Sequence, residues 1–141
     1  MKRIFIDTNI LIDFLAKREP FFPLAASMMN LSSKNFEILV SSLSFATASY
    51  VLTAHHKMQP TAIKQLFDHF IKICHTTTID TQTINDSIAS EIDDFEDAMQ
   101  YYSAFRANAD VIITRNKSDF TPSQIPIYEP QEFLDRLLKK H

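Results

Sequence analysis

The chain has 141 residues, 45% hydrophobic and 22% charged, with a formal net charge of −3. These values suit one folded domain spanning residues 1–141; they exclude long disorder and a generally basic nucleic-acid-binding surface, so any such contact needs a local patch or a metal bridge. Glycine is absent, which removes phosphate-cradling and dinucleotide-binding turns that need a backbone without Cβ. Arg3 to Ile6 is a short apolar strand, and from Asn9 to Lys17 the apolar positions Ile10, Leu11, Phe14 and Leu15 recur at helical spacing. Pro20 and Pro23 break the chain and restart it as a helix to about Ser33. Phe36–Ser41 is a second strand, followed by helices over 43–56 and 60–73. Cys74–Ile79, rich in β-branched residues, predicts a third strand. A helix capped by Asp80 or Thr81 then runs through Ile84, Ile88 and Ile92, and a strongly patterned one covers 94–108 with Phe95, Ala98, Tyr102, Phe105 and Ala109 on one side. Val111–Thr114 and Ile125–Tyr128 are further strands, and 130–140 is a final amphipathic helix.

Short apolar strands alternating with helices predict an α/β fold, a three-layer α/β/α sandwich around a mostly parallel sheet. Ligands of such sheets gather beyond the carboxyl ends of the strands. Asp7 stands at one such end, and Thr114, Arg115, Asn116 and Asp119 stand at or just past another. Between them in sequence lies Glu91–Ala98, with five acids in eight residues. Asp94 and Asp97 are three apart at a helix start and share a face. Taken alone, acids there suit an N-cap and the positive end of the helix dipole. Several carboxylates at one end of one sheet repel, and proteins hold them together for a cation or a shared proton. Hard oxygen donors in incomplete sets suit Mg²⁺ or Mn²⁺, and those ions activate water and offset charge on a phosphodiester.

The stretches FIDTNILID near the start, SSLSFATASYVL at 41–52, DFEDAMQYYSAFRANADVIITRNKSDF at 94–120 and the final PIYEPQEFL resemble the PIN-domain family, in particular its bacterial branch of VapC-type toxins from toxin–antitoxin pairs. The resemblance covers nearly the whole chain in order. It implies a parallel sheet between helices and a metal-dependent endoribonuclease whose Mg²⁺ or Mn²⁺ is held by three or four acids. Carried over residue by residue, it assigns Asp7, Asp94, Asp97 and Asp119 to catalysis and metal binding. Thr8, Asn9, Thr47, Thr114, Arg115 and Asn116 take the positioning of water and substrate. It further implies RNA as substrate and a protein antitoxin as partner; a homodimer is a possible assembly through the Met28-Met29 and Phe21-Phe22 pairs. Two positions depart from the family pattern. Thr47 stands where many members have Glu, with no acid between Ser41 and Gln59, and Asn116 stands where many have Asp. These departures fit a second reading, a scaffold without turnover that binds RNA or a protein partner. A phospho-accepting receiver domain fits poorly, because it needs an acidic pair after the first strand where this chain has Asp7-Thr8-Asn9.

Other residues read more plainly. Lone Cys74 cannot form an internal disulfide, no Cys/His spacing suits zinc, and Cys74 is expected to be a small buried hydrophobe. His55 and His56 do not share a helical face. Lys17 and Arg18 end a helix where cations complement the dipole. Arg115 and Lys117 are candidates for holding phosphate. Tyr101 and Tyr102, Met28 and Met29, and Phe21 and Phe22 are assigned to packing, with base stacking for the tyrosines and a dimer or partner surface for the others as alternatives. No stretch approaches 18 uninterrupted apolar residues and the opening is too short for a signal-peptide core, so the expected location is cytoplasmic, away from membranes.

Overall fold

The computed structural model describes residues 2–139, so the expected helix end at Lys140 lies outside the described residues. Five strands, β1 (Lys2–Ile6), β2 (Phe36–Ser41), β3 (His75–Thr77), β4 (Val111–Ile113) and β5 (Ile127–Tyr128), form one sheet in the order β3-β2-β1-β4-β5. Every pairing is parallel, with Ile4 opposite Ile38 on one side and Val111 on the other. The helices α1 (Thr8–Leu15), α2 (Phe22–Met29), α3 (Ser42–His56), α4 (Pro60–Phe70), α5 (Thr81–Ile88), α6 (Phe95–Arg106) and α7 (Pro130–Lys139) cover its faces.

The period-2 alternation of the strands divides the core. Ile4, Ile6, Ile38, Val40, Val111 and Ile113 point to the layer built by α1 to α4 and α7. Phe5, Leu39 and Ile112 point to the other layer, against Ala98, Tyr101 and Ala104 of α6. The expected three-layer α/β sandwich is therefore what forms, with all strands parallel. Met28, Met29 and Cys74 are buried in the first core, as expected.

Several elements are shorter or turned relative to the sequence expectation. β3 keeps only three of its expected residues and β5 only two, because an edge strand pairs on one side alone. α5 ends at Ile88, and it buries Thr83 and Ser87 while Ile84 and Ile88 face solvent. Two hydrogen bonds make that polar face viable: Thr83 Oγ1 donates to Asp80 Oδ1 and Ser87 Oγ donates to the Thr83 carbonyl. On α6 the buried stripe is Ala98, Tyr101 and Ala104, so Phe95 and Phe105 point outward. Small residues facing the sheet bring the helix axis close, and the bulky aromatics of the expected face would not fit there.

The lack of glycine shows at the helix ends. Lys17, Lys57 and Asn108 adopt left-handed backbone with φ of 53°, 55° and 59°, a region that costs a residue bearing Cβ about 1–2 kcal/mol. Lys57, exposed and C-terminal to α3, donates its backbone N–H to the Leu52 carbonyl. Lys57→Gly is expected to raise stability by about 0.5–1 kcal/mol, the relief of strain less the entropy of glycine in the unfolded chain. Urea denaturation of the two proteins measures it.

Candidate active site

The chain leaves β1, adds β2 and β3 on one side, and then places β4 and β5 on the other. The crevice of such a sheet opens where that direction reverses, between the carboxyl ends of β1 and β4. Asp7 occupies this point. Its backbone N–H donates to the Ile113 carbonyl at 3.0 Å, continuing the β1–β4 ladder, and the residue is only 6% exposed. The carboxylate is held at both oxygens: Thr8 N–H donates to Oδ1 at 2.8 Å and Thr114 Oγ1 donates to Oδ2 at 2.8 Å. Thr114 in turn accepts from Asn116 N–H at 3.0 Å, so the turn after β4 and the acid after β1 fix each other. Asp7 also caps α1, placing the carboxylate at the positive end of that helix.

Two further segments bring acids to the same place. Asp94 caps α6 by accepting from Asp97 N–H at 2.9 Å, which sets Glu96 and Asp97 in the first turn. The 3-10 turn Lys117–Phe120, anchored by fully buried Phe120, presents Asp119. Burial pushes the Asp7 carboxyl up to about 6 against the hydrogen bonds from Thr114 and Thr8, and the charges of Asp119 and Glu96 push it the same way. Burial also raises Asp97 to about 7, with the charges of Asp94, Asp119, Asp7 and Glu96 adding to it. Asp7, Asp94 and Asp119 thus all act through their charge on Asp97.

Glu96 is the acid that reading passed over. Its Oε1 accepts from Thr47 Oγ1 at 3.2 Å, bridging α6 to α3. The spacing of Asp94 and Asp97 had selected one face of the helix; Glu96, next to Asp97, reaches the crevice from the other flank. Beneath it lies a second polar bridge. Gln100 Nε2 donates to Thr8 Oγ1 and to Ser44 Oγ, each at 3.0 Å, and those two hydroxyls share a hydrogen bond of 2.7 Å. Thr8 is therefore turned into the α1–α3–α6 contact, while Asn9, Thr47 and Asn116 keep partial or full exposure at the crevice. Gln100 and Ser44 carried a sequence signal, polar residues at helical positions facing a core.

The cations near the crevice are engaged elsewhere. Arg115 donates from Nε to Asp13 Oδ2 at 2.9 Å, with its guanidinium 3.9 Å over the Phe21 ring. Arg18 donates from Nε to Asp13 Oδ1 at 2.9 Å and from Nη2 to the Asn9 carbonyl at 3.3 Å. Asp13, completely buried on α1, is thus a two-arginine anchor that sequence reasoning left out. Lys117 pairs with Glu132 of α7 at 3.0 Å. Among the described residues, no ion pair reaches Asp7, Asp94, Glu96, Asp97 or Asp119.

The carboxylates offer oxygen donors, no ion pair among the described residues opposes their charges, and burial, with the neighbouring acids, raises Asp7 and Asp97 to about 6 and about 7. That chemistry fits a hard divalent cation. Among the described residues no three acidic, His or Cys side chains are grouped closely enough to hold a metal ion as they stand.

A parallel α/β sandwich with an acidic switch-point crevice defines the class. The chain belongs to the PIN-domain family: a family model for the PIN domain matches residues 3–118. Among curated proteins none matches the sequence. Among solved structures the fold is similar to VapBC2 from Rickettsia felis, bound to a DNA fragment from its promoter, with TM-score 0.65, 16% identity, and 90% of this chain and 98% of that chain covered. It is similar to a toxin–antitoxin complex from Klebsiella pneumoniae with TM-score 0.66 and 21% identity, over 90% and 97% of the two chains. It also resembles the sarcin-ricin loop cleaving toxin VapC20 of Mycobacterium tuberculosis, with TM-score 0.62 and 9% identity, over 77% and 86%. No described helix is long and apolar enough to cross a membrane.

Two outcomes follow from the charges. Asp13→Asn removes the shared partner of Arg18 and Arg115, whose half-exposed heads can turn to water; the loss is expected to be about 2–3 kcal/mol in chemical denaturation. For Asp7 and Asp97 the folded pKa lies above the ordinary 3.8, so the folded chain binds protons that the unfolded chain has released. In EDTA their contribution to stability is present at pH 4, falls as pH rises through about 6 and 7, and is flat above. Asp7→Asn should remove part of that slope and melt no lower than the wild type at pH 8; thermal melts across pH 5–8 provide the comparison.

Proposed function

We propose that this protein is a divalent-cation-dependent endoribonuclease, the toxin component of a toxin–antitoxin pair. The observation that supports the reading is that acids from the end of β1, the start of α6 and the turn after β4 act on one another's charge around buried Asp7, and that no ion pair among the described residues reaches them. Asp7, Asp97, Asp94 and Asp119 would hold Mg²⁺ or Mn²⁺. A cation bound there lowers the pKa of water and offsets charge on a phosphodiester. Thr114 orients the Asp7 carboxylate through its 2.8 Å hydrogen bond. Asn9, Thr47 and Asn116 would supply neutral donors and acceptors for water or a substrate phosphate. Thr8 acts behind Asp7, through the hydroxyl contact that fixes α1 against α3. Arg115 steadies the turn that carries Asn116 by its bond to Asp13.

The likeness to structures that contain toxins with their antitoxins supports a protein antitoxin as partner, and the likeness to a toxin that cleaves the sarcin-ricin loop supports RNA as substrate. A scaffold without turnover that binds RNA or a protein is the second reading, favoured by the neutral side chains of Thr47 and Asn116. Cleavage of a labelled RNA in Mn²⁺ and in EDTA separates the two. The wild type is expected to cleave in Mn²⁺ alone, and Asp7→Asn to drop cleavage to background with an unchanged circular dichroism spectrum. RNA binding without cleavage at any Mn²⁺ concentration would establish the scaffold instead.

A further inference from the structure

Two polar bridges, one helical turn apart, join α3 to α6 across the site. The outer one is Thr47 to Glu96 and the inner one is Ser44 to Gln100. Glu96 and Gln100 are four apart on α6 and share a face, as Ser44 and Thr47, three apart, do on α3. From these paired bridges we infer that Glu96 is a fifth carboxylate of the cation site, supplied by α6 and steered by the Thr47 hydroxyl to the α3 side of the site, where α3 has no acid of its own. The inference rests on the proposed cation-dependent function.

Three observations support it. A glutamate in a first helical turn is free to extend into water, and fixing it costs side-chain entropy; here the Thr47 hydroxyl holds it toward a helix 49 residues away in sequence. Glu96 stands beside Asp97 in the first turn of α6, whose N-cap is Asp94. The third lies deeper. Gln100 is 1% exposed, its Nε2 is bonded, and its Oε1 has no partner among the described residues. A buried amide end without a partner costs about 1–3 kcal/mol. It lies one turn along α6 from Glu96 and Asp97, and it is met if water accompanying a cation enters between the two bridges.

The experiment is Mn²⁺ titration followed by the electron paramagnetic resonance signal of the free ion, which needs no turnover. Wild type, Asp7→Asn, Glu96→Gln, Asp93→Asn and the double variant Glu96→Gln/Thr47→Glu are compared, each checked for an unchanged circular dichroism spectrum. Glu96→Gln is expected to weaken Mn²⁺ binding about tenfold or more. Asp93→Asn, the loss of an exposed neighbouring charge, should change it less than about twofold. Thr47→Glu in the Glu96→Gln background should return most of the lost affinity. Equal effects of Glu96→Gln and Asp93→Asn, or loss without rescue, overturn the inference while Asp7-dependent binding persists. A wild type that binds no Mn²⁺ overturns the proposed function itself, and this inference with it.

Discussion

A carboxylate buried at the junction of two parallel strands is the constraint around which this protein is arranged. Burial alone favours the protonated acid, and each neighbouring acid adds to that preference. Asp7 nevertheless sits where β1 and β4 diverge, because the ladder bond from its N–H to Ile113 leaves its side chain no other direction. The protein offsets part of the cost with neutral donors, the Thr8 N–H and the Thr114 hydroxyl, and with the start of α1. Among the described residues no cation pairs with Asp7. An arginine in contact with Asp7 would stabilise the apo fold and would also close the crevice to any other positive charge.

The same division explains the arginines. Arg18 and Arg115 both serve Asp13, one helical turn and a half beyond Asp7 on α1. That anchor ties α1 to the turn after β4, and so keeps the two segments that hold Asp7 and Asn116 in register. Lys117 ties the following 3-10 turn, with Asp119, to α7. Positive charge near the site is thus spent on holding acids at fixed spacing, and the acids facing the crevice keep their mutual repulsion. Stability of the frame and strain of the site are carried by different residues.

What was legible in the sequence follows from where the signal is local. The strand ending at Asp7, the cap at Asp94 and the β4 turn each announce themselves through apolar runs stopped by polar residues, and parallel topology then brings their ends together. Helix orientation is less local. Bulky Phe95, Tyr102 and Phe105 suggested the buried face of α6, but the sheet accepts Ala98 and Ala104 because close approach needs small residues. Ile84 and Ile88 misled in the same way on α5, where Thr83 and Ser87 satisfy themselves through local hydrogen bonds. Glu96, Ser44 and Gln100 were passed over because their meaning lies in pairs across α3 and α6, far apart in sequence. Asp13 was passed over because a lone acid in an apolar helix has no partner visible nearby; Arg115 stands 102 residues away.

On the proposed reading, this charge arrangement also sets how RNA is drawn to the site. The chain carries a net charge of −3, and the cations beside the crevice are already paired. A phosphodiester approaching Asp7, Asp97 and Asp119 meets like charge until a divalent cation occupies the site, so cation and substrate bind cooperatively. The ion is then an attractor for substrate as well as a reagent, and the neutral residues Asn9, Thr47 and Asn116 suit that arrangement, because they contact phosphate or water without adding to the repulsion. Acids at Thr47 or Asn116 would strengthen cation binding and raise the charge that the substrate must overcome; Glu96, steered by its bond to Thr47 on the α3 flank, supplies negative charge on that side while Asn116 leaves the β4 side neutral.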